Sequence, residues 1–514
     1  MITVLLLIAA IGILVWGYQR AKPFGTLGVL AWLQTVVLML PWLLFFGLSA
    51  AGVYLNLAGI LLLVVSSTGI YIYLGKRLRA TGKEELAAQR AANLMSEATA
   101  TEKASNATIV QVDADSETEA DVTSEGGAAE ATEIKKPVNQ QEKDLPPIPT
   151  EDLADIEGIF GIDTFFRTGT VPYQEGAIFK GNLRGQPAET AQTLSDKLSA
   201  KFGDKYRSFL LADPNGKPVV VVLPASNGPM PTTLAQKLLA AILAIATLVT
   251  CTETAAILQN FDIFQAPQRW PEALPIGLGI ATVLLVHELG HWVMARKLRV
   301  KISPPFFLPA WQLGSFGSLM RFESVLPNRS VLFDVSFAGP AAGGLLSFVF
   351  LLVGLVLSHP GSLFQLPAEF FQGSILVGTL ARTVLGDALQ ADLVDVHPLM
   401  VVGWMGLIIT AINLMPAGQL DGGRMVQAIY GRKTLVRTST VTLVLLALVG
   451  LFNPLALYWA VLILFLQRQP ERPCTDDLTE PDDARAALTL LSLFLMLMVL
   501  LPLSSSLAMR LGIG

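Results

Sequence analysis

An apolar stretch carrying His-Glu-x-x-His in its middle is the constraint that most narrows what this chain can become. Leu274–Val286 lies before the motif, Trp292–Ala295 after it, and His287-Glu288-Leu289-Gly290-His291 between them. A run of that length and apolarity predicts a membrane-spanning helix. Ionisable groups are costly in lipid, so three together ask for a functional reason. Positions i and i+4 of a helix share a face, which puts both imidazoles within reach of one metal ion. Glu288 sits where it can take a proton from water at that ion. The competing reading is two buried histidines satisfied by neighbours, beside an incidental glutamate. The chain has four histidines, and half of them fall in these five residues.

Composition agrees with a membrane protein. Hydrophobic residues make up 52% of the 514 positions and charged residues 15%, too little charge to cover a soluble chain of this size. The net charge of −5 says little, because the acidic residues are concentrated in one segment. Cys251 and Cys474 are the only cysteines, which excludes a disulfide framework and a Cys-rich metal site.

Four parts follow along the chain. Residues 1–80 hold three apolar runs, Met1–Trp16, Leu27–Leu48 and Val53–Leu74, the first read as an uncleaved anchor because it lacks a basic start. Lys22 and the cluster Lys76, Arg77, Arg79 and Lys83 then face one side, cytoplasmic by the positive-inside rule. Residues 84–150, rich in Ala, Glu, Thr, Ser and Asp, read as a disordered acidic linker. Residues 151–230 read as a small cytoplasmic α+β domain. It has an amphipathic helix over Ala188–Phe202, and strands over Tyr206–Leu211 and Pro218–Leu223 joined through Asp213-Pro214-Asn215-Gly216. This part has no histidine, no cysteine and no catalytic constellation.

Residues 231–514 read as the membrane-embedded core. Its apolar runs are Thr233–Ala256, Leu274–Ala295, Val331–Leu357, Leu399–Leu414, Thr440–Leu466 and Ala487–Leu503, with a weaker one at Gly373–Leu385. Asn453-Pro454 breaks the run at Thr440–Leu466, which is one kinked span or two short ones. The helix carrying His287 ends in the basic cluster Arg296, Lys297, Arg299 and Lys301, and counting spans from the N-terminus makes that end cytoplasmic as well. The motif lies about nine residues, roughly 14 Å, from that end. Ser303–Asp334 is too broken for a span and too apolar for an ordinary loop, so short strands against the membrane are expected there. An exposed strand edge would pair with an unwound substrate. His359 and His397 fall on the side away from the motif, as loop residues at the interface. The expected fold class is an all-α polytopic membrane protein of about 8–10 spans, with the small α+β domain and these strands near the site.

Two histidines do not complete a catalytic zinc site, which usually has three protein ligands and water. Acidic residues are scarce in the core. Asp421 stands out in Asn413-Leu-Met-Pro-Ala-Gly-Gln-Leu-Asp421-Gly-Gly-Arg424, where Pro416 and three glycines interrupt a regular helix. Irregular backbone at membrane depth is tolerated only where protein or a wet cavity covers it. Asp421 therefore points at the metal, or else caps a helix near Arg424.

HELGH on one span and NLMPAGQLDGG on a later one resemble the site-2 protease family of intramembrane zinc metalloproteases, peptidase family M50. A wider likeness reaches the plant-chloroplast and cyanobacterial branch, the ethylene-dependent gravitropism-deficient and yellow-green proteases. It rests on Gly181–Gly185, Phe316–Ser318, Pro327–Arg329, Ala338–Pro340 and Pro470–Cys474. One departure is Ala338-Gly-Pro-Ala-Ala-Gly343, which many relatives end in Asn. The resemblance implies one Zn²⁺ held by His287, His291 and Asp421, with Glu288 as catalytic base. Asn413 is a donor to substrate backbone or oxyanion, or an amide satisfying broken-helix carbonyls. It implies cleavage of membrane-anchored protein substrates in a lipid bilayer, with no nucleic acid involved and an unidentified protein partner for the α+β domain. The membrane is a plasma membrane or a thylakoid- or plastid-type one. Two alternatives stay open: a catalytically inactive scaffold or chaperone, which the intact Glu288 opposes, and a prenyl-protein type zinc protease, which wants a glutamate as third ligand.

Overall fold

The computed structural model describes residues 17–19, 21–50, scattered positions between 67 and 78, and 148–513 apart from 174, 214 and 468. The expected run Met1–Trp16, most of Val53–Leu74 and the linker up to residue 147 lie outside them. The chain forms two compact units, residues 1–136 with 451–454, and residues 137–450 with 455–514. In the first, the run at Leu27–Leu48 is a helix, α1 (Gly25–Ala50). The Trp32 ring meets Tyr18 edge-on at 5.0 Å.

The second unit starts with the α+β domain. Helix α2 (Thr150–Glu157) leads into β1 (Phe165–Tyr173), β2 (Gly176–Leu183), α3 (Pro187–Phe202), β3 (Tyr206–Ala212) and β4 (Pro218–Pro224). The sheet is antiparallel in the order β1-β2-β4-β3. Alternation along β4 sends Val220 and Val222 to one face, where they bury with Phe165, Phe179, Leu194 and Leu198 under the helices. Val219 and Val221 go to the other face, with Phe209 and, from the core, Val325. The turn between β3 and β4 forms as expected: Asp213 Oδ1 accepts from the N–H groups of Asn215 and Lys217, at 2.7 and 2.8 Å.

The core follows as α4 (Leu234–Leu258), α5 (Trp270–Lys297), β5 (Phe306–Ala310), β6 (Gly314–Leu319), α6 (Arg329–Leu357), β7 (Phe364–Pro367), α7 (Ile375–Leu385), β8 (Leu393–Val396), α8 (Pro398–Asn413), α9 (Asp421–Val449), α10 (Pro454–Leu462), α11 (Asp483–Leu500) and α12 (Ser505–Leu511). Among the described residues, four helices are long and apolar enough to cross a membrane: Leu234–Leu258, Pro267–Lys297, Arg329–Leu357 and Asp483–Leu500. Pro398–Asn413 and Pro454–Phe465 are shorter apolar helices. The run Thr440–Leu466 is divided between α9 and α10, and Pro454 opens the second, where its missing N–H costs nothing. Within α9, Gly431 has φ 79° and interrupts the helix. Arg329 caps the break by donating to the carbonyls of Ala428 and Ile429, both at 2.7 Å.

The expected strands within Ser303–Asp334 are the hairpin β5–β6, in which Phe306 pairs Leu319 and Phe307 pairs Ser318. Two threonines of α4 hold it: Thr250 donates to the Gly314 carbonyl at 2.6 Å and Thr254 to that of Trp311 at 3.0 Å. A strap at Thr475–Asp477 joins domain and core. Thr475 and Asp476 donate to the carbonyls of Leu326 and Pro327, while Leu210 of β3 exchanges backbone hydrogen bonds with Thr475 and Asp477.

Candidate metal centre

His287 and His291 lie one turn apart on the buried side of α5, in a helix that needs no internal break to present them. Asp421 comes from a different part of the chain. Helix α8 stops at Asn413, and the Leu414–Leu420 segment is irregular, with Gly418 at φ 48° and its N–H held by Ser439 Oγ at 2.9 Å. The new helix α9 then starts with Asp421 in its first turn. The three side chains converge. His287 Nε2 is 3.1 Å from Asp421 Oδ2, His291 Nε2 is 3.4 Å from the same oxygen, and the two Nε2 atoms are 3.2 Å apart.

That triangle fits one tetrahedral ion. Ligand distances of about 2.0–2.1 Å place neighbouring donors of a tetrahedron roughly 3.3 Å apart. The tautomer also fits. His291 Nδ1 is 2.7 Å from the Val335 carbonyl, which can only accept, so Nδ1 carries the proton and Nε2 offers its lone pair to the centre. Asp421 faces the imidazoles rather than Arg424. The Arg424 guanidinium is buried and pairs Glu471 at 3.0 Å, while donating to the Met320 carbonyl at 2.7 Å.

Among the described residues, His287, Glu288 and His291 form one group whose ligand atoms all lie within 4.8 Å of each other. Glu288 is partly exposed and lines a small cavity with His287, Gly317, Thr410 and Asn413. A second small cavity brings together His291, Ser318, Met320, Gln419 and Asp421. Asn413 borders both, yet its amide is committed: Nδ2 donates to the Phe316 carbonyl at 3.0 Å and to that of Ile409 at 2.8 Å. Gly317 of β6 has φ 102° and leaves room for this amide, with Asn413 Oδ1 2.9 Å from where a Cβ would stand. Asn413 thus clamps the hairpin to α8. His359 and His397 are remote from the cluster. His359 is exposed just beyond the end of α6, which runs about 33 Å from Val335 to Leu357, and His397 caps the far end of α8, accepting from the Leu399 N–H.

The residues that sequence reasoning missed are glycines. A Cβ on Gly339 would fall on the His291 imidazole, and one on Gly343 would stand 2.8 Å from His287 Cβ. Across the interface, a Cβ on Gly290 would stand 3.0 Å from Ala342 Cβ and 2.9 Å from the Ala338 carbonyl carbon. These three glycines let α5 and α6 approach at the depth of the histidines. The signal was present in Ala338–Gly343, where small residues recur at i and i+4 as in close-packed membrane helices.

The chain is similar to known proteins over most of its length. A model described as peptidase family M50 matches residues 276–453, and one described as EGY3 middle domain matches residues 154–229. The protein named probable zinc metalloprotease EGY1, chloroplastic, of Arabidopsis thaliana is 38% identical over 393 residues, 69% of this chain and 72% of that protein. Its Oryza sativa subsp. japonica namesake is 37% identical over 405 residues, 71% of this chain and 70% of its own. The chain belongs to peptidase family M50. Probable zinc metalloprotease EGY2, chloroplastic, of Arabidopsis thaliana is 40% identical over 363 residues, which cover 69% of this chain. The chain spans just under two thirds, 65%, of that relative's length. No solved structure matches.

In this M50 chain, the histidines, the glycine contacts and Asp421 all fall inside the M50 match. The buried partner of Arg424 does not. Glu471 lies beyond residue 453, and Gln427 fixes it by accepting from its N–H at 2.9 Å and donating to its carbonyl at 3.1 Å. Cys474 closes the same segment. Burial raises its thiol well above the usual range, which leaves it inert as a nucleophile.

Proposed function

We propose that this chain is a zinc-dependent endopeptidase that hydrolyses peptide bonds within or beside the membrane-spanning segments of anchored protein substrates. The observation that carries the reading is the triangle of His287 Nε2, His291 Nε2 and Asp421 Oδ2, with edges of 3.1, 3.2 and 3.4 Å. These residues would hold the zinc that the printed names of the relatives imply, one ion per chain in this reading. When bound, zinc supplies a Lewis acid that polarises the scissile carbonyl and acidifies water.

The chain's own residues do the rest. Glu288 takes the proton from the attacking water and passes it to the leaving amide nitrogen. His291 keeps its tautomer through Val335. Asn413, with its donors taken by Phe316 and Ile409, acts as a positioning residue that sets β6 against the centre. Ser318 and Met320 share the cavity of His291 and Asp421, so a substrate unwound beside β6 reaches the centre through main-chain pairing. The basic residues Arg296 to Lys301, at and just beyond the end of α5, support a cytoplasmic side there, and in this reading the shorter apolar helices belong to a multi-pass array of about 8–10 spans. The relatives' printed location favours a plastid-type membrane.

The deciding experiment uses the purified full chain. One zinc per chain is expected in both wild type and Glu288→Gln, while cleavage of a membrane-anchored reporter falls by about 10²–10⁴ in the variant. Equal cleavage by the two would refute the role of Glu288, and absence of zinc from both would refute the metal centre. Proline at Ser318 should cut cleavage and leave zinc in place; unchanged cleavage removes strand pairing from the mechanism.

A further inference from the structure

One cavity among the described residues lies away from the candidate metal centre. It is a chamber of about 900 Å³ between the α+β domain and the start of the core. It is lined by Arg207 of β3 and Glu175 beside β2 from the domain, and by Arg321, Gln419, Glu471 and Arg472 from the core. Gln419 also lines the cavity of His291 and Asp421, so the two spaces share a wall. Strand β6 runs between them. Ser318 and Met320 border the metal-centre cavity, and the next residues, Arg321 and Phe322, border the chamber. From Ser318 to Arg321 is three residues, about 10 Å of extended chain.

The charges in the chamber do not balance. The Arg207 side chain is exposed, and its guanidinium has no hydrogen bond or ion pair among the described residues. Arg321 donates to the neutral amide of Gln236 at 3.2 Å, and Arg472 to the Asn227 carbonyl at 2.8 Å. Of the two acids, Glu471 is already paired with buried Arg424, while Glu175 accepts from the Asn227 amide at 3.2 Å. Three uncompensated guanidinium groups therefore face one uncompensated carboxylate. The strap at Thr475–Asp477 ties the β3 edge to Leu326 and Pro327, so both walls are fixed by backbone hydrogen bonds.

We infer that this chamber receives the extended soluble-side segment of the substrate and favours acidic residues about three to six positions from the cleaved bond. The inference rests on the proteolytic reading above and names the class of segment the site accepts. Continuity through β6 and Gln419 makes the occupant a polypeptide passing to the centre, and the excess of arginine sets its sign. Two or three exposed pairs give about a tenfold preference at low salt.

The test measures binding apart from turnover. Full-length zinc-loaded Glu288→Gln protein in zwitterionic detergent micelles is titrated against three fluorescent membrane-anchored peptides. These differ only in an acidic, neutral or basic stretch at those positions. Tightest binding of the acidic peptide, weakened by salt, is expected; Arg207→Glu and Arg321→Glu together should invert the order. That inversion is a gain of affinity for the basic peptide, which a misfolded variant cannot mimic. Affinities equal within twofold, or an order that survives the charge reversal, would overturn the inference. So would displacement of the acidic peptide by phosphatidylglycerol but not by phosphatidylcholine, which would make the chamber a lipid-headgroup site. Cleavage by wild type is scored separately by mass spectrometry. Its absence beside an intact binding order would sink the protease reading and leave the chamber as a peptide site.

Discussion

The α+β domain and the membrane core bury different things, and for different reasons. The domain buries apolar side chains such as Phe165, Phe179, Leu194 and Val220, and keeps its ion pairs outside, as in Lys201–Asp155 and Lys205–Asp152. The core shows many of its leucines and valines outward and buries His287, His291, Asp421, Arg424 and Glu471 instead. Water drives the first arrangement through the hydrophobic effect. In lipid that force is absent, so close packing of small residues and satisfied polar groups must hold the helices together. Side-chain volume should accordingly govern stability in the domain, and the lack of it should govern chemistry in the core.

Three substitutions would break or sharpen that contrast. The largest effect is expected from Phe179→Ala, which should destabilise the domain by about 3–5 kcal/mol in chemical denaturation, with zinc content unchanged. A change below 1 kcal/mol would show that the domain's fold does not depend on its apolar interior. Next comes Gly339→Ala, where one added methyl meets the His291 ring. Displacement of a site residue by even 1 Å costs about 10²-fold, so cleavage should fall by about that factor; full activity with zinc retained would remove close approach as the reason for this glycine.

The smallest effect belongs to Asp152→Asn. The Lys205 ammonium, followed by the Tyr206 hydroxyl, holds the Asp152 carboxyl below its usual range. A depressed carboxyl stabilises the fold above its unfolded value, near 4, and loses that contribution as pH falls through the folded value. The variant should therefore melt below wild type at pH 7, and the two melting curves should converge at acid pH. A gap that did not narrow as the pH falls below the usual carboxylate range would assign the effect to packing instead.

What was legible in the sequence follows the same division. Long apolar runs gave α4, α5, α6, α8 and α11 within a few residues, because length and apolarity determine a span. The convergence of three side chains, which leaves their role as ligands a proposal, follows residues that the sequence singles out: the histidines by helical spacing, and Asp421 as an acid set in broken helix. The hairpin β5–β6 was legible as apolar but interrupted chain. Helix α2 and strands β1 and β2 were not; Phe165–Leu183 carries Gly169, Pro172, Gly176 and Gly181, which mask alternation. The Arg424–Glu471 pair escaped because 47 residues separate the partners and nothing local marks them. The glycines at 290, 339 and 343 escaped because an absent side chain is read only once the neighbouring helix is known.

The strap at Thr475–Asp477 has a consequence for the company this protein keeps. By lying along β3 at Leu210 it occupies one margin of the four-stranded sheet. The opposite margin, β1, has an irregular register between Arg167 and Gly169, and Pro172 lacks an N–H to offer. Neither border offers a foreign strand an uninterrupted row of free backbone groups. Interrupted borders of this kind disfavour sheet-to-sheet pairing between neighbouring copies.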